Sequence, residues 1–584
     1  MLSFLPRALP VALLLLFSFG PGSGAHAQAG AAGETGGTWE IVQVFQGPVP
    51  WAKFGRACCD AGDVDGDGLS DIAITSPEHN DGLETNAGAV YVYAASDGRL
   101  LAMVSGPARR SFLGHWVESV GDLDGDGIGE LLVSGPDAVI NSQDETGAAW
   151  IVSPGAQSIL REHPGDTGGD RFGESIAALG DLDGDGFGDY GVGSELGTGS
   201  GQPGAGYVRI FSGATGAEIA RLEGTVAGEN AGQVGSAGDL NGDGVPEILI
   251  GAPGADPSQA LTDAGEVRIL DGATLAVLNV LQGAVAGDRF GAAVGNAGDT
   301  SGDGVPDLMI GAPYAEAPND PAELVDPGLV LILDGLSLGL RCDLKGNFHS
   351  AHLGADVGGG GDLNGDGLSD AVVGNEYARG PNGEWHLGGT WICSGRTRRL
   401  LASHLGPFED AHMGRSRVLQ DFNGDGRADF AACTERLLWG VDEVGGCFIY
   451  SFDPHLFSDR RELSDAAGGS VVFTLDFPVE EAGKGYLLLA SASGMGPSWF
   501  GTLAVPLTWD NILGLSIAPG LPASFFTGAS GVLDAAGDGS SVFTAAPGST
   551  ASFIGTTFHF AAVVLESSGL WSRSSAAVGL EILP

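Results

Sequence analysis

Between residues 39 and 455 the chain alternates short apolar runs with turns rich in Gly and Asp, and the runs come in a fixed order. A strand of small residues leads into an acidic turn. A continuous apolar run comes next, such as Ile248-Leu249-Ile250 or Leu308-Met309-Ile310, which reads as a strand buried on both faces. The third run alternates, AVYVYA at 89–94 and GYVRIF at 206–211, and a fourth, such as 218–222, ends the unit. Strand-length runs separated by turn residues at this spacing predict four-stranded antiparallel sheets. No window carries a helical period. Each unit opens on an aromatic-Gly pair, Phe54-Gly55, Phe172-Gly173 or Phe290-Gly291, with one residue inserted in Phe112-Leu113-Gly114.

The acidic turn is a nonapeptide that occurs seven times: DVDGDGLSD at 63–71, DLDGDGIGE at 122–130, DLDGDGFGD at 181–189, DLNGDGVPE at 239–247, DTSGDGVPD at 299–307, DLNGDGLSD at 362–370 and DFNGDGRAD at 421–429. A period of about sixty residues with four strands in each unit predicts an all-β, seven-bladed β-propeller, in which radial closure protects the sheet edges. The seventh unit supplies three clear strands. The segment 39–46 (WEIVQVFQ) stands where a fourth strand precedes every other aromatic-Gly pair, so it is expected to complete blade seven. A local fourth strand at 456–463 is the alternative. Strand alternation puts Trp39, Ile41 and Phe45 on one face and Val42 and Val44 on the other, so both faces of this strand are expected to be largely apolar.

The repeat stops near Leu463. Alternating runs at 470–477, 486–492, 502–508, 532–534, 558–565 and 577–583 predict a C-terminal β-sandwich over 463–584. The acids in DAAGDG at 534–539 are wrongly spaced for the nonapeptide and read as a hairpin turn. At the other end, Arg7, the apolar run 11–19 and Ala25-His26-Ala27 read as a signal peptide over 1–27, with 28–38 as a linker and 39–455 as the propeller. A secreted or extracellular location is expected, with periplasmic or cell-surface retention as variants.

Composition sharpens the chemistry. The chain holds 74 acidic residues against 26 Lys and Arg, a surface that repels nucleic acid and anionic lipid. Gly makes up 101 of 584 residues without a collagen period, and 43 per cent of the chain is apolar, too much for a disordered acidic tail. Of the 74 acids, 24 fall at positions 1, 3, 5 and 9 of the seven nonapeptides. Calcium takes six to eight oxygen ligands from carboxylates and carbonyls, and the Gly at position 6 lets the chain curl around one ion.

The expected calcium ligands are the side chains at positions 1, 3, 5 and 9 and the carbonyl at position 7. By loop they are Asp63, Asp65, Asp67, Leu69 and Asp71; Asp122, Asp124, Asp126, Ile128 and Glu130; Asp181, Asp183, Asp185, Phe187 and Asp189; and Asp239, Asn241, Asp243, Val245 and Glu247. The later loops offer Asp299, Ser301, Asp303, Val305 and Asp307; Asp362, Asn364, Asp366, Leu368 and Asp370; and Asp421, Asn423, Asp425, Arg427 and Asp429. Seven solvated Asx-turns are the alternative, since Asp-Gly is also good turn chemistry. The loop 299–307 is the weakest, because Ser301 replaces an acid.

Together, the aromatic-Gly pairs, the nonapeptide and Gly-Ala-Pro at 251–253 and 311–313 resemble the FG-GAP repeats of integrin α-subunit propellers. The resemblance covers roughly 39–455. It implies that the calcium loops join strands one and two of each blade, on the face opposite ligand binding. The chain departs from the pattern at Ala231-Gly232, His352-Leu353-Gly354 and His412-Met413-Gly414, and Gly-Ala-Pro is degraded at 75–77 and 374–376.

By strand parity, the loops between strands two and three lie opposite the acidic loops. They carry Tyr314, Arg379, Trp385 and His386, with Trp439 in the matching stretch of blade seven. Exposed aromatics there would stack on sugars or anchor a protein; packing against neighbouring loops is the alternative. His349, His352, His404 and His412 read as packing residues. The one G-x-S-x-G, 335–339, bridges two strands, so Ser337 reads as a turn residue and not as a nucleophile. Cys433 and Cys447 flank one hairpin and are expected to pair; Cys58, Cys59, Cys342 and Cys393 receive no partner. The whole reads as a secreted, calcium-binding, non-catalytic adhesion or binding module for an extracellular protein or glycan. A glycan-active propeller, lectin or polysaccharide lyase, is the alternative.

Overall fold

The computed structural model describes residues 38–584 apart from 81, 83–84, 317–324, 347–349, 380–383, 399, 408–409, 440–441, 454–455, 459–461, 465, 467–468, 478–483, 492–497, 501–502, 506–525, 528–529, 535–537, 546–556, 566–570, 576–577 and 584. The signal-peptide reading, His349 and the turn at 535–537 lie outside these residues. Every element among them is a strand or a turn.

Seven four-stranded sheets form the first part of the molecule. In blade four, for example, Gln233–Gly238 pairs with Glu247–Ala252, then Glu266–Leu270, then Val277–Gln282, all antiparallel. Six consecutive residues of the second strand are buried, while the outer strand exposes Val277, Leu278 and Val280. That contrast is the continuous apolar run and the mixed fourth run of the sequence. The first strands are rich in Gly, Ala and Ser because they converge on the axis. Each packs beside that of the next blade, and Cys58–Gly62 packs beside Arg415–Leu419 of blade seven, so the ring is closed.

Two local devices set the geometry. In five blades the first strand ends in a register shift just ahead of the acidic loop, as at Ser236/Gly238; Gly238 there has φ 73°, a value that favours Gly. Such bulges bend a strand and re-aim the loop beyond it. The second device is the aromatic-Gly slot, where Phe172 bridges Gly147 of the preceding blade. Gly147 has φ 78°, and a Cβ there would come within 2.2 Å of the Phe172 carbonyl oxygen.

Slot occupancy corrects one reading. Leu113, Leu353 and Met413 make the same bridge and are fully buried. Phe112, His352 and His412 instead sit one residue earlier, at positive φ. The two histidines therefore do not stand where Phe stands in other blades. His404 does pack, against Trp39, Phe430 and Tyr450.

Blade seven takes its outer strand from the far end of the chain. Thr38–Gln46 pairs antiparallel with Gly446–Asp453, from Thr38 opposite Asp453 to Gln46 opposite Gly446. Leu456–Ser458, part of the alternative fourth strand, pairs instead with Gly469–Asp476. A bulge between Ile41 and Gln43 breaks the side-chain alternation. Trp39 consequently faces Phe430 and Phe452, whereas Phe45 faces the blade-one side against Tyr93. Ile41, Val42 and Val44 are exposed, so this is an ordinary outer strand anchored by two aromatic rings, not one with two apolar faces.

Disulfides join Cys433 to Cys447 and Cys342 to Cys393. The first spans directly opposed strands of blade seven. The second links the outer strand of blade five to the third strand of blade six, a pairing between blades that a search within single hairpins does not find. Cys58 and Cys59 are buried thiols.

Beyond residue 455 two larger sheets form, beside a two-stranded ribbon of Ser498–Phe500 and Leu503–Val505. One runs Leu456–Ser458, Gly469–Asp476, Asp538–Ala545 and Phe526–Thr527; the other centres on Gly485–Ser491, Thr557–Leu565 and Val578–Leu583. Both contribute to one core that contains Phe473, Leu475, Leu488, Phe560 and Ile582. The strand Asp538–Ala545 is not legible in the pattern, because its run DGSSVFTA is short of apolar residues.

Candidate metal centres and the opposite face

All seven nonapeptides join the first and second strands of a blade, at one end of the ring. Position 1 organises each loop. Asp181 accepts the amides of Gly184 and Asp185 on Oδ1 and that of Gly186 on Oδ2, at 2.8, 3.1 and 2.9 Å. The acid at position 9 is the first residue of the second strand, and its side chain is wholly buried in every blade: Asp71, Glu130, Asp189, Glu247, Asp307, Asp370 and Asp429. One of its oxygens reaches back to the position-2 amide, as from Leu182 to Asp189 at 2.8 Å.

Positions 1, 3 and 9 come together in the first three loops. Asp63, Asp65 and Asp71 each place a carboxylate oxygen within 4.8 Å of the others, as do Asp122, Asp124 and Glu130, and Asp181, Asp183 and Asp189. Position 5 behaves differently: its Oδ1 accepts the position-7 amide in all seven loops, as in Asp67 with Leu69 and Asp425 with Arg427. In loop five Ser301 Oγ donates to Asp299 Oδ1 at 3.1 Å.

The electrostatics of these loops favour a cation over a bare carboxylate cluster. Burial raises the carboxyl of Asp71, Glu130, Asp189, Glu247 and Asp307, lifts Asp370 well above the carboxylate range and takes Asp429 to about 6. Other acids of the same loop add to the rise in most of them, Asp366 and Asp362 beside Asp370 for instance. Glu130 Oε1, Asp370 Oδ2 and Asp429 Oδ1 are buried without a hydrogen bond. An all-oxygen set with orphaned buried carboxylate oxygens fits a hard divalent ion. Loop five is again distinct. Arg341 lies 3.5 Å from Asp307, and Thr300 Oγ1 donates to the same carboxylate, so a protein cation already meets part of its charge.

The FG-GAP repeat family matches residues 60–93 and 231–270, which contain the first and fourth acidic loops. Integrin alpha-5 of Xenopus laevis is 32% identical over 211 residues, 33% of this chain and 19% of that protein. Integrin alpha-3 of Cricetulus griseus is 29% identical over 174 residues, 28% of this chain and 16% of that protein. Integrin alpha-PS2 of Drosophila melanogaster is 27% identical over 216 residues, 33% and 15% of the two chains. The chain thus carries FG-GAP repeats on a seven-bladed β-propeller and is similar in sequence to integrin α subunits. The matched part spans less than a fifth of the length of each of these relatives.

The other end of the FG-GAP propeller has a different chemistry. A cavity of about 250 Å³ opens there, lined by Lys53, Arg56, His115, Glu376, Arg415 and Glu435 among others. Its cations are matched by acids: Lys53 with Glu78 at 2.8 Å, Arg56 with Glu435 at 3.2 Å and Arg415 with Glu376 at 3.3 Å. Near it, Trp116 meets three guanidinium groups, Arg415 at 4.6 Å, Arg417 at 5.4 Å and Arg56 at 5.6 Å from the ring centre. Burial and the Arg56 charge hold His115 well below its ordinary range, so it is neutral. No local motif announces this constellation, because its members come from separate blades.

Around the cavity runs an aromatic chain over blades five to seven: Tyr314 to His352, His352 to Tyr377, and Tyr377 to both His386 and His412, with ring centres 5.0–5.8 Å apart. Arg379 lies over Trp385. Tyr314, Tyr377 and Trp385 pack against neighbours yet remain 36–51% exposed. The Trp439 side chain lies outside the described residues. Ser337 donates to Asp334 Oδ1 at 2.6 Å inside the turn between strands three and four of blade five.

Glu195, at the end of the second strand of blade three, gives a pH test of this region. It accepts a hydrogen bond from Gln233 Nε2, and burial, with Glu174 nearby, pushes its carboxyl up to about 7. A folded pKa above the ordinary value contributes stability that is complete below about pH 4.5 and lost as pH rises through about 7. Glu195→Gln keeps the shape and an acceptor for Gln233. It is expected to stabilise the protein by about 1–3 kcal/mol at about pH 8 and to leave it unchanged at about pH 4. Melting curves at the two pH values check this; equal shifts at both would rule out the charge as the cause.

Proposed function

We propose that this chain is a secreted, non-catalytic adhesion module that binds an extracellular protein on the face opposite its acidic loops. The observation that carries the reading is the segregation of the two ends. Acidic loops crowd one end of the blades, whereas the other presents a charged cavity with largely buried guanidinium groups and half-exposed aromatic rings around it. Aromatic and Arg side chains around a concavity are the usual anchors of a protein interface.

In this reading calcium holds the propeller rigid from below. Positions 1, 3, 5 and 9 and the position-7 carbonyl would hold it, with the four-acid loops 63–71, 122–130 and 181–189 the strongest and loop 299–307 the weakest because of Ser301 and Arg341. The sheets beyond residue 455 read as a β-sandwich module that the propeller carries. The integrin names of the relatives support adhesion and do not name a partner.

The test is an array of matrix proteins and polysaccharides probed with the calcium-loaded chain. Binding to a protein is expected, weakened about tenfold by Trp385→Ala and again by Tyr314→Ala. Retention on polysaccharide with release of unsaturated products would replace this reading by a lyase. Binding indifferent to both substitutions would move the site elsewhere.

A further inference from the structure

The closing of one blade on the next brings three backbone positions together at each junction. One precedes the third strand, and two lie ahead of the first strand of the next blade. At the junction of blades six and seven they are His386, Asp410 and His412, with φ of 48°, 61° and 54°. The amide of His412 donates to the His386 carbonyl at 2.9 Å and that of Asp410 to the Trp385 carbonyl at 3.0 Å, so the corners are fixed by the fold. The corresponding residues are Gly204, Gly228 and Asn230 at the third junction and Glu145, Gly169 and Arg171 at the second, again all at positive φ. Gly is the natural occupant of such backbone, and non-Gly residues held there concentrate at functional sites. Among the six junctions of this kind in the described residues, only the sixth fills all three corners with metal-ligating side chains.

Those side chains converge. A ligand atom from each lies within 4.8 Å of the other two. His386 Nδ1 is 3.1 Å from Asp410 Oδ1, and the two imidazole rings are 5.1 Å apart. His412 Nδ1 is buried and has no hydrogen bond; its nearest acid, Glu376 Oε1, is 3.8 Å away. Tyr377 meets both imidazoles edge-on and limits their rotation. Two imidazoles and a carboxylate suit zinc and other late first-row divalent ions, whereas calcium prefers oxygen alone.

We propose that His386, Asp410 and His412 form a transition-metal site, fitted to zinc, on the rim between blades six and seven. It is chemically separate from the oxygen-only loops at the other end of the ring. Three protein ligands leave a coordination position open to water or to an outside donor. The proposal is independent of the adhesion reading, because it concerns the metal alone.

The experiment uses the full chain in saturating calcium, which keeps the acidic loops filled, and titrates it with zinc by calorimetry. Elemental analysis after desalting supplies the count. One zinc equivalent is expected beyond the calcium. The triple variant His386→Asn, Asp410→Asn, His412→Asn is expected to lose it while its calcium content and melting temperature stay at the parent values, since Asn tolerates positive φ. Should the triple variant misfold, Asp410→Asn alone, at an exposed position, is expected to weaken zinc at least about tenfold. Cobalt adds a readout that a merely structural role would not move: visible bands of a nitrogen-ligated ion in the parent, absent from the variants. Failure to bind zinc, or an equivalent that survives the substitutions, overturns the proposal.

Discussion

Removing calcium is expected to cost this propeller most of its stability. Each loop gathers three or four acids, and one of them, at position 9, is wholly buried in every blade. Without a cation these groups repel one another or take up protons. A ligand at a hundred times its dissociation constant adds about 2.7 kcal/mol per site. Several filled loops therefore reach the order of 10 kcal/mol, comparable with the whole stability of a typical fold. Calorimetry in chelator should show the melting temperature falling by tens of degrees, restored by calcium and not by equimolar magnesium. Asp185→Ala should remove about one calcium equivalent.

The pH dependence distinguishes this from a general salt effect. Asp429 stands at about 6 in the metal-free fold, above the ordinary carboxylate value. Its contribution is complete below about pH 4 and lost as pH rises through about 6. The metal-free protein should thus gain stability on acidification from about pH 7 to 5, while the calcium-loaded protein loses it as protons displace the ion. A melting curve indifferent to chelator, with no metal found by elemental analysis, would remove calcium from the account.

The second large effect belongs to the closing strand. Deleting residues 28–47 removes no acidic loop, yet it strips Gly446–Asp453 of its outer partner and leaves only Asp429–Thr434 beside it. It also removes Phe45, buried against Tyr93 and Phe422, and Trp39, which packs on His404, Phe430 and Phe452. Loss of two such rings costs about 3–5 kcal/mol each, and the bared edges invite pairing between molecules. The truncated protein should melt far below the parent and aggregate, as read by light scattering, although all seven acidic loops remain in its sequence. A truncated chain that stays monomeric with parent melting behaviour would show that blade seven stands on three strands.

Repetition makes most of this architecture legible. A nonapeptide returning every sixty residues or so marks the turn between the first two strands wherever it occurs, and continuous apolar runs such as 248–250 mark the buried second strand. The same property hides the rest. Trp116 meets Arg56, Arg415 and Arg417 from blades far apart in the chain, and Cys342 meets Cys393 across a blade boundary, so neither leaves a local trace. The histidines of the sixth and seventh units sit one residue off the expected slot, because His352-Leu353-Gly354 aligns its Leu, not its His, with the aromatic of other units. That single step turns His412 from a packing residue into a rim residue. The bulge after Ile41 has the same effect on the closing strand, since alternation in a sequence carries no mark of the extra residue.

The pairing of the first strand with the last has a mechanical consequence. The chain enters the ring at Thr38 and leaves it at Asp453, and these two residues face each other across one rung. Tension drawn between a tether ahead of residue 38 and the module behind residue 453 never travels around the blades. It falls on that rung, then on the next, so the strands part as a zipper does, one hydrogen-bonded pair at a time, and the load is never shared along the strand as it would be in shear. The Cys433–Cys447 link lies inboard of that seam and stays out of the line of pull. A pulled molecule would shed its first strand as a fuse and keep its other six blades whole.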